Sequence, residues 1–184
     1  MKYLLLALAL FAAPAVADDC SLKKLDACKT SNQFFWRATS GRDQPRTEFT
    51  KAFSVFLQRT PKLYEGTQGF TPAQIAKDSL TGPGDHHDHL PGGGWFFDGF
   101  LPHYAAYRGA ILFDEDGSIL AIALRTEDTD KPDKDLTGKL SLRIYAHGEL
   151  EPAQLKIIRE WADKDIETRL IRRDGKKWTS TTLP

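Results

Sequence analysis

The chain has 184 residues, with 25 basic and 25 acidic side chains and a formal net charge of zero. Binding to nucleic acid needs a basic face that displaces counterions from phosphates, so this balance argues against a nucleic-acid partner. The length suits one domain with a substantial hydrophobic core.

The first 17 residues have the features of a secretory signal peptide. Lys2 supplies the positive charge, an apolar run extends over 4–13, and Ala15-Val16-Ala17 is a small-x-small cleavage site. The apolar run is too short to span a bilayer. We therefore predict cleavage after Ala17, a periplasmic or secreted location without membrane insertion, and a single domain over 18–184.

Cys20 and Cys28 are the two cysteines of the chain. An oxidising compartment favours a disulfide between them. A continuous helix would place their Cα atoms about 12 Å apart, whereas a disulfide requires about 7 Å or less. The chain is therefore expected to turn between the two cysteines, around a short helical segment within 21–29.

Two amphipathic helices are predicted in the first half of the chain. Apolar residues follow helical spacing from Phe49 to Leu57, and Pro61 ends that helix. Thr71, Pro72 and Gln74 form a capping box with proline at the first helical position, and the second helix ends before Gly82. These features indicate that the N-terminal portion is helical.

The second half of the chain indicates strands. The stretches 106–113 and 118–125 flank an Asp-Gly turn and predict a hairpin. Alternation over 139–147 predicts a half-buried strand, and 178–183 predicts an edge strand. The segment 126–138 carries charge without a core pattern and is expected to be an exposed loop.

A long helix is predicted after Pro152. Its apolar face would consist of Leu155, Ile158, Trp161, Ala162, Ile166 and Leu170. The expected fold class is α+β, with an antiparallel sheet of three to five strands packed against helices on one face, and an N-terminal helical portion.

The stretch 82–104 is the most unusual part of the sequence, because it contains four of the five histidines. Glycine and proline flank its polar residues and predict a mobile, solvated segment over 82–94. Aromatic residues follow directly. Most of them are expected to lie in the core, and 95–113 is expected to lead into the central sheet. A protruding tip above an aromatic base is typical of a protein interface.

The leading hypothesis is an exported protein that binds a protein partner and blocks it, as an inhibitor or immunity protein does. A toxin or a cell-wall hydrolase of the periplasm is the kind of enzyme such a protein would block. The absence of familiar catalytic motifs favours this non-enzymatic interpretation, and no cofactor is expected under it. The predicted partner-binding residues are Asp85, His86, His87, Asp88, His89, Trp95 and His103.

Two alternatives use the same stretch. Imidazoles and carboxylates at this density can bind a transition metal, so the first alternative is a periplasmic zinc-binding or copper-binding protein. Its ligands would be His86, His87, His89 and His103. The second alternative is a small hydrolase, in which a histidine acts as a general base oriented by Asp85 or Asp88.

Overall fold

The structure is a computed structural model that describes residues 19–39, 42–65, 67–102, 104–132, 139–163 and 165–184. The predicted signal peptide lies outside the described residues. Within them, no helix has the length and apolar character needed to cross a membrane.

A disulfide joins Cys20 to Cys28 and confirms that prediction. The chain turns between an isolated bridge at Ser21 and Lys24 and a short 3-10 helix, Leu25–Ala27. This turn brings the two Cα atoms to 4.5 Å. Both cysteines are buried in the core, so the disulfide holds the N-terminal segment against the body of the domain.

Helices α1, Thr47–Phe56, and α2, Pro72–Leu80, confirm the two helices predicted in the first half. Helix α1 buries Phe49, Phe53 and Phe56 on one face. The predicted capping box at the start of α2 is present, and the backbone N–H of Gln74 donates to the Thr71 hydroxyl. A second 3-10 helix, Ser31–Phe34, precedes α1.

Helix α3, Pro152–Ala162, is shorter than predicted. The helix ends before Asp163, where φ is +84°, and a strand begins at Glu167. Ile166 and Leu170 match helical spacing by chance, because Leu170 belongs to a strand in which alternate residues are buried. The prediction that the helix includes these two residues is wrong.

Eleven β-strands occur in the described residues. In chain order they are β1 Trp36–Thr39, β2 Arg42–Pro45, β3 Leu63–Glu65, β4 Gln68–Phe70, β5 His87–His89, β6 Trp95–Leu101, β7 Tyr104–Phe113, β8 Ile119–Thr126, β9 Ser141–Ala146, β10 Glu167–Asp174 and β11 Lys177–Leu183. Strands β1–β2 and β3–β4 form separate antiparallel hairpins. The other seven form one sheet in the order β11-β10-β9-β8-β7-β6-β5.

The predicted fold class is wrong. The main sheet has seven strands in the described residues and is mixed, because β9 and β10 are parallel and α3 connects them. The first half also contains two hairpins and is not a helical portion. The sequence does not predict β5, because this strand is short and polar. The helical spacing of Ile166 and Leu170 wrongly predicts a helix where β10 begins. The predicted hairpin of β7 and β8, the strand β9 and the edge strand β11 are confirmed.

Helices cover both faces of the sheet, not one face as predicted. One face packs against α1, α2 and the disulfide-bonded segment, and the other packs against α3. Alternation along the strands sends Phe97 and Ile111 to the first face and Phe96 and Leu112 to the second. Both faces are therefore hydrophobic, and β6, β7 and β8 are largely apolar along their length.

Candidate binding surface at the β5–β6 hairpin

Strands β5 and β6 form a hairpin at one edge of the main sheet. His87 pairs with Phe97 and His89 pairs with Trp95. The connecting turn is closed by hydrogen bonds from the Leu90 N–H to the Gly94 carbonyl and from the Gly93 N–H to the Leu90 carbonyl, each 3.0 Å. The segment predicted to be mobile thus contains a regular hairpin. Among the described residues, β5 is the edge strand of the main sheet and pairs with β6 alone.

Asp98 on β6 anchors the start of this hairpin from within the core. Its side chain is completely buried. The backbone N–H groups of Asp85 and His86 each donate to its Oδ1 at 2.8 Å. Gly84 lies so close to the Asp98 carbonyl that a Cβ there would come within 1.9 Å of that oxygen. The glycine-rich sequence therefore allows the chain to pass directly over β6.

The second carboxylate oxygen of Asp98 binds two further groups. Arg108 Nη2 donates to Oδ2 at 2.9 Å, and Trp161 Nε1 donates to the same atom at 2.9 Å. The Arg108 guanidinium also lies 5.2 Å from the centre of the Trp161 ring, within the range of a cation–π contact. These bonds join β6, β7 and α3 and neutralise the buried charge.

The exposed side chains of the hairpin project from both faces of the sheet. On the α3 side, His86 Nδ1 lies 3.0 Å from Asp88 Oδ2, and both side chains are substantially exposed. On the opposite side, the His89 ring contacts the Trp95 ring with 5.0 Å between centroids. His87 shares that side with His89 because side chains alternate along a strand.

A groove of about 450 Å³ separates the hairpin from α3. Asp85, His86 and Asp88 line it from the hairpin side, and Glu160 and Trp161 line it from α3. Arg108 also lines the groove, and 26% of its side chain is exposed. The groove thus presents carboxylates, which accept hydrogen bonds, a guanidinium, which donates them, and an imidazole, which can do either.

The structure brings most of the predicted partner-binding residues together. Asp85, His87, Asp88 and His89 are exposed, and His86 is partly exposed. Trp95 is partly buried and packs against the core beside Phe97, so only part of its ring is open to a partner. His103 lies outside the described residues.

The histidines of the metal-binding alternative are divided between the two faces of the sheet. His86 lies on the groove side, whereas His87 and His89 lie on the other. Among the described residues, no group of three or more metal-ligating side chains is positioned to hold a metal ion. Zinc or copper binding through these histidines and His103 stays a prediction.

The hydrolase alternative requires a histidine oriented by a carboxylate, and the structure contains such a pair, His86 and Asp88. The His86–Asp88 contact is the arrangement that an oriented general base requires. The described residues that line the groove include no serine, threonine or cysteine. His147 is not close to this site: its ring hydrogen-bonds the Phe56 carbonyl at 2.7 Å and packs against Trp178. Three strands separate β5 from β9, after which His147 follows.

Sequence reasoning missed Asp98 and Arg108. Asp98 is a single carboxylate within the otherwise apolar run Trp95–Leu101. A charged residue in such a run indicates a buried, paired group. That signal was available, but the identity of its partners was not.

Comparison with known proteins gives this chain no relatives: no protein-family model, no curated protein and no solved structure matches it.

Proposed function

We propose that this chain is an exported protein that binds a partner protein through the β5–β6 hairpin and the adjoining groove. The partner is an enzyme that the chain blocks, such as a toxin or a cell-wall hydrolase of the periplasm. One observation carries the proposal. The side chains of Asp85–His89 are exposed or partly exposed, whereas the backbone at the start of this segment is hydrogen-bonded to the fully buried Asp98.

This contrast favours recognition for an energetic reason. Ordering a flexible loop on binding costs conformational entropy, and that cost reduces affinity. Here the hydrogen bonds to Asp98 and the pairing with β6 already hold the backbone. The exposed side chains can therefore contact a partner while the backbone keeps its shape.

The chemistry of the exposed groups suits a polar cleft. Imidazoles can donate or accept hydrogen bonds, and Arg108 can pair with a carboxylate of a partner. The outer side of β5, which pairs with no strand in the described part of the chain, also offers backbone N–H and carbonyl groups to a partner strand. Such groups are complementary to the catalytic carboxylates and the exposed backbone of a hydrolase cleft.

Affinity capture from periplasmic extract tests this proposal. We expect the mature chain to retain one specific protein, and the triple variant His86→Ala, Asp88→Ala, His89→Ala to lose it. The matched control is Lys177→Ala, Thr179→Ala, Thr181→Ala on β11, the opposite edge of the sheet, which should retain the partner. The captured enzyme should lose activity when the wild-type chain is added in excess.

The hairpin proposal is wrong if the triple variant captures the same protein as strongly as the wild type. It is also wrong if the β11 variant alone loses the partner. A captured enzyme whose activity is unchanged by the chain would contradict the inhibitory role.

A further inference from the structure

A second cavity, of about 220 Å³, lies on the opposite face of the sheet from the hairpin groove. Helix α2 and the β3–β4 hairpin contribute to it, together with the ends of β6 and β7. Phe70, Ile75 and Leu101 supply apolar lining. None of the candidate partner-binding residues that the structure describes lines this cavity, so it is separate from the described part of the hairpin surface.

The polar lining of the cavity is acidic. Glu65, Asp78 and Asp128 contribute carboxyl groups, and Tyr107 contributes a hydroxyl. No lysine, arginine or histidine is among the described residues that line it. A cavity with three carboxyl groups and apolar surface is complementary to a cation that carries a hydrocarbon part.

The burial and hydrogen bonding of Asp128 are the main evidence for a ligand in this cavity. This residue follows β8, in a segment predicted to be exposed, but only 4% of it is accessible to solvent. Tyr107 donates to its Oδ1 at 3.0 Å. Its Oδ2 is buried and has no hydrogen-bond partner among the described residues. A buried acceptor without a donor is costly to the fold, and a ligand that donates to it would remove that cost.

Arg143, a basic side chain in contact with the main chain of Asp128, does not satisfy this oxygen. Arg143 is itself buried, and its Nη2 donates to the main-chain carbonyl of Asp128 at 2.8 Å and not to the carboxyl group. The same nitrogen donates to Asp130 at 3.2 Å, and Nη1 donates to Ser141. The guanidinium thus fixes the backbone of Asp128 while one carboxyl oxygen is left without a donor.

The pKa shifts of two carboxyl groups in the cavity are consistent with this hydrogen-bonding pattern. Burial raises the pKa of Asp128 and outweighs the hydrogen bond from Tyr107 and the charge of Arg143, which lower it. Burial also raises the pKa of Asp78, although Lys77 opposes that effect. The buried carboxyl group of Asp128 therefore lacks full compensation for its charge, which a bound cation would provide.

We infer that this cavity is a binding site for a small organic cation, an alkylammonium or alkylguanidinium group whose charge meets Asp128 and whose carbon chain meets the apolar lining. The cavity is smaller than the pockets that hold drug-sized ligands, so the ligand has the size of a short amine or of one basic side chain. A free amine and a lysine side chain of a peptide share this chemistry.

Isothermal titration calorimetry with the mature chain tests the site. The probes are butylammonium, butylguanidinium and Nα-acetyl-lysinamide, with butanol and butyrate as neutral and anionic controls. We expect saturable binding of at least one cation and none of the controls. A response to the acetyl-lysinamide identifies a protein side chain as an acceptable source of the cation, and a response to butylammonium alone identifies a free amine.

Asp128→Asn is the decisive variant, since its amide oxygen can still accept from Tyr107. We expect it to weaken cation binding at least about tenfold, as the loss of a charge-assisted hydrogen bond does. Asp78→Asn should weaken binding several-fold and serves as a second variant in the same cavity. Asp174→Asn, at an exposed position on the β10–β11 hairpin, removes one charge elsewhere and should bind like the wild type.

Several results would overturn the inference. They are the absence of saturation by every cation at tens of millimolar, equal binding of butanol, and unchanged affinity in Asp128→Asn. Binding of Ca²⁺ in place of organic cations would also overturn it, because a metal ion makes no use of the apolar lining.

Discussion

At the scale of single residues, Asp98 organises the proposed binding surface. Its carboxylate accepts hydrogen bonds from two backbone groups, from Arg108 and from Trp161, and its main-chain carbonyl accepts from Ser31. A buried charge is tolerated only when such bonds are complete. One side chain therefore links the hairpin start, the sheet and α3.

Replacement of Asp98 by asparagine should destabilise the fold strongly. The variant leaves the Arg108 guanidinium without its carboxylate, and breaking a buried ion pair of this kind costs about 3–5 kcal/mol. We expect the free energy of unfolding, measured by urea denaturation, to fall by that amount. Asp85→Asn, an exposed residue of the same segment, is the matched control and should change stability by less than about 0.5 kcal/mol. Equal stability of Asp98→Asn and the wild type would show that the pair contributes nothing.

At the scale of elements, a pair of glycines determines how closely α2 approaches the sheet. Gly99 on β6 pairs with Gly109 on β7. A Cβ at Gly99 would lie 2.7 Å from the Ser79 carbonyl oxygen, and a Cβ at Gly109 would lie 2.9 Å from Ser79 Cβ. The helix therefore lies directly on the backbone of the two strands, which brings Asp78 beside Tyr107 in the second cavity.

The variant Gly99→Ala tests this close packing. The added methyl group meets main-chain atoms of α2 that cannot rotate away, so we expect a loss of about 1–3 kcal/mol in the free energy of unfolding, as in other overpacked cores. Gly148→Ala is the control, because its Cβ would meet no atom within 4 Å. A urea midpoint that is equal in the two variants would contradict the packing argument.

Elements defined by local sequence were predicted well, and those defined by distant partners were not. The capping box at Thr71 and the turn before Ser118 act within a few residues, so α2 and the β7–β8 hairpin could be predicted. Strand β10 exists because it lies parallel to β9, and its sequence also fits helical spacing. Strand β5 exists because β6 supplies its hydrogen bonds, and its own residues have little preference for a strand.

At the scale of the whole molecule, the buried acids should shape how stability depends on pH. The charge on Asp128 is opposed by burial and by Glu65 and Glu127, whereas the bond from Tyr107 and the charge of Arg143 favour it. Burial dominates and raises the pKa of the carboxyl group. The folded protein therefore holds this proton up to a higher pH than the unfolded chain does.

The sign of the effect follows from proton linkage. Above about pH 4, the ordinary value for an aspartate, the folded state binds more protons at Asp128, so its contribution to the free energy of unfolding decreases as pH rises to the raised pKa. We expect Asp128→Asn to gain stability relative to the wild type over that window and to keep the gain at neutral pH. Urea denaturation of both proteins between pH 4 and pH 8 measures the difference. A constant difference across this range would contradict the raised pKa.

The candidate sites also combine features that the local sequence predicts with features that depend on tertiary contacts. The histidine cluster was evident in the sequence, but its separation into His86 on one face and His87 with His89 on the other follows from the pairing of β5 with β6. Asp128 stands in a charged stretch and was expected to be exposed. Its burial depends on β7, β9 and α2, which lie far from it in the sequence.

The sequence by itself determined α1, α2, the β7–β8 turn and the Cys20–Cys28 disulfide, because each depends on residues that are close in the chain. Only the tertiary structure decided the seven-stranded mixed sheet, the burial of Asp98 and the acidic cavity at Asp128. Those features depend on hydrogen bonds and desolvation between distant segments, and the free energies of such contacts are not encoded in any single stretch of sequence.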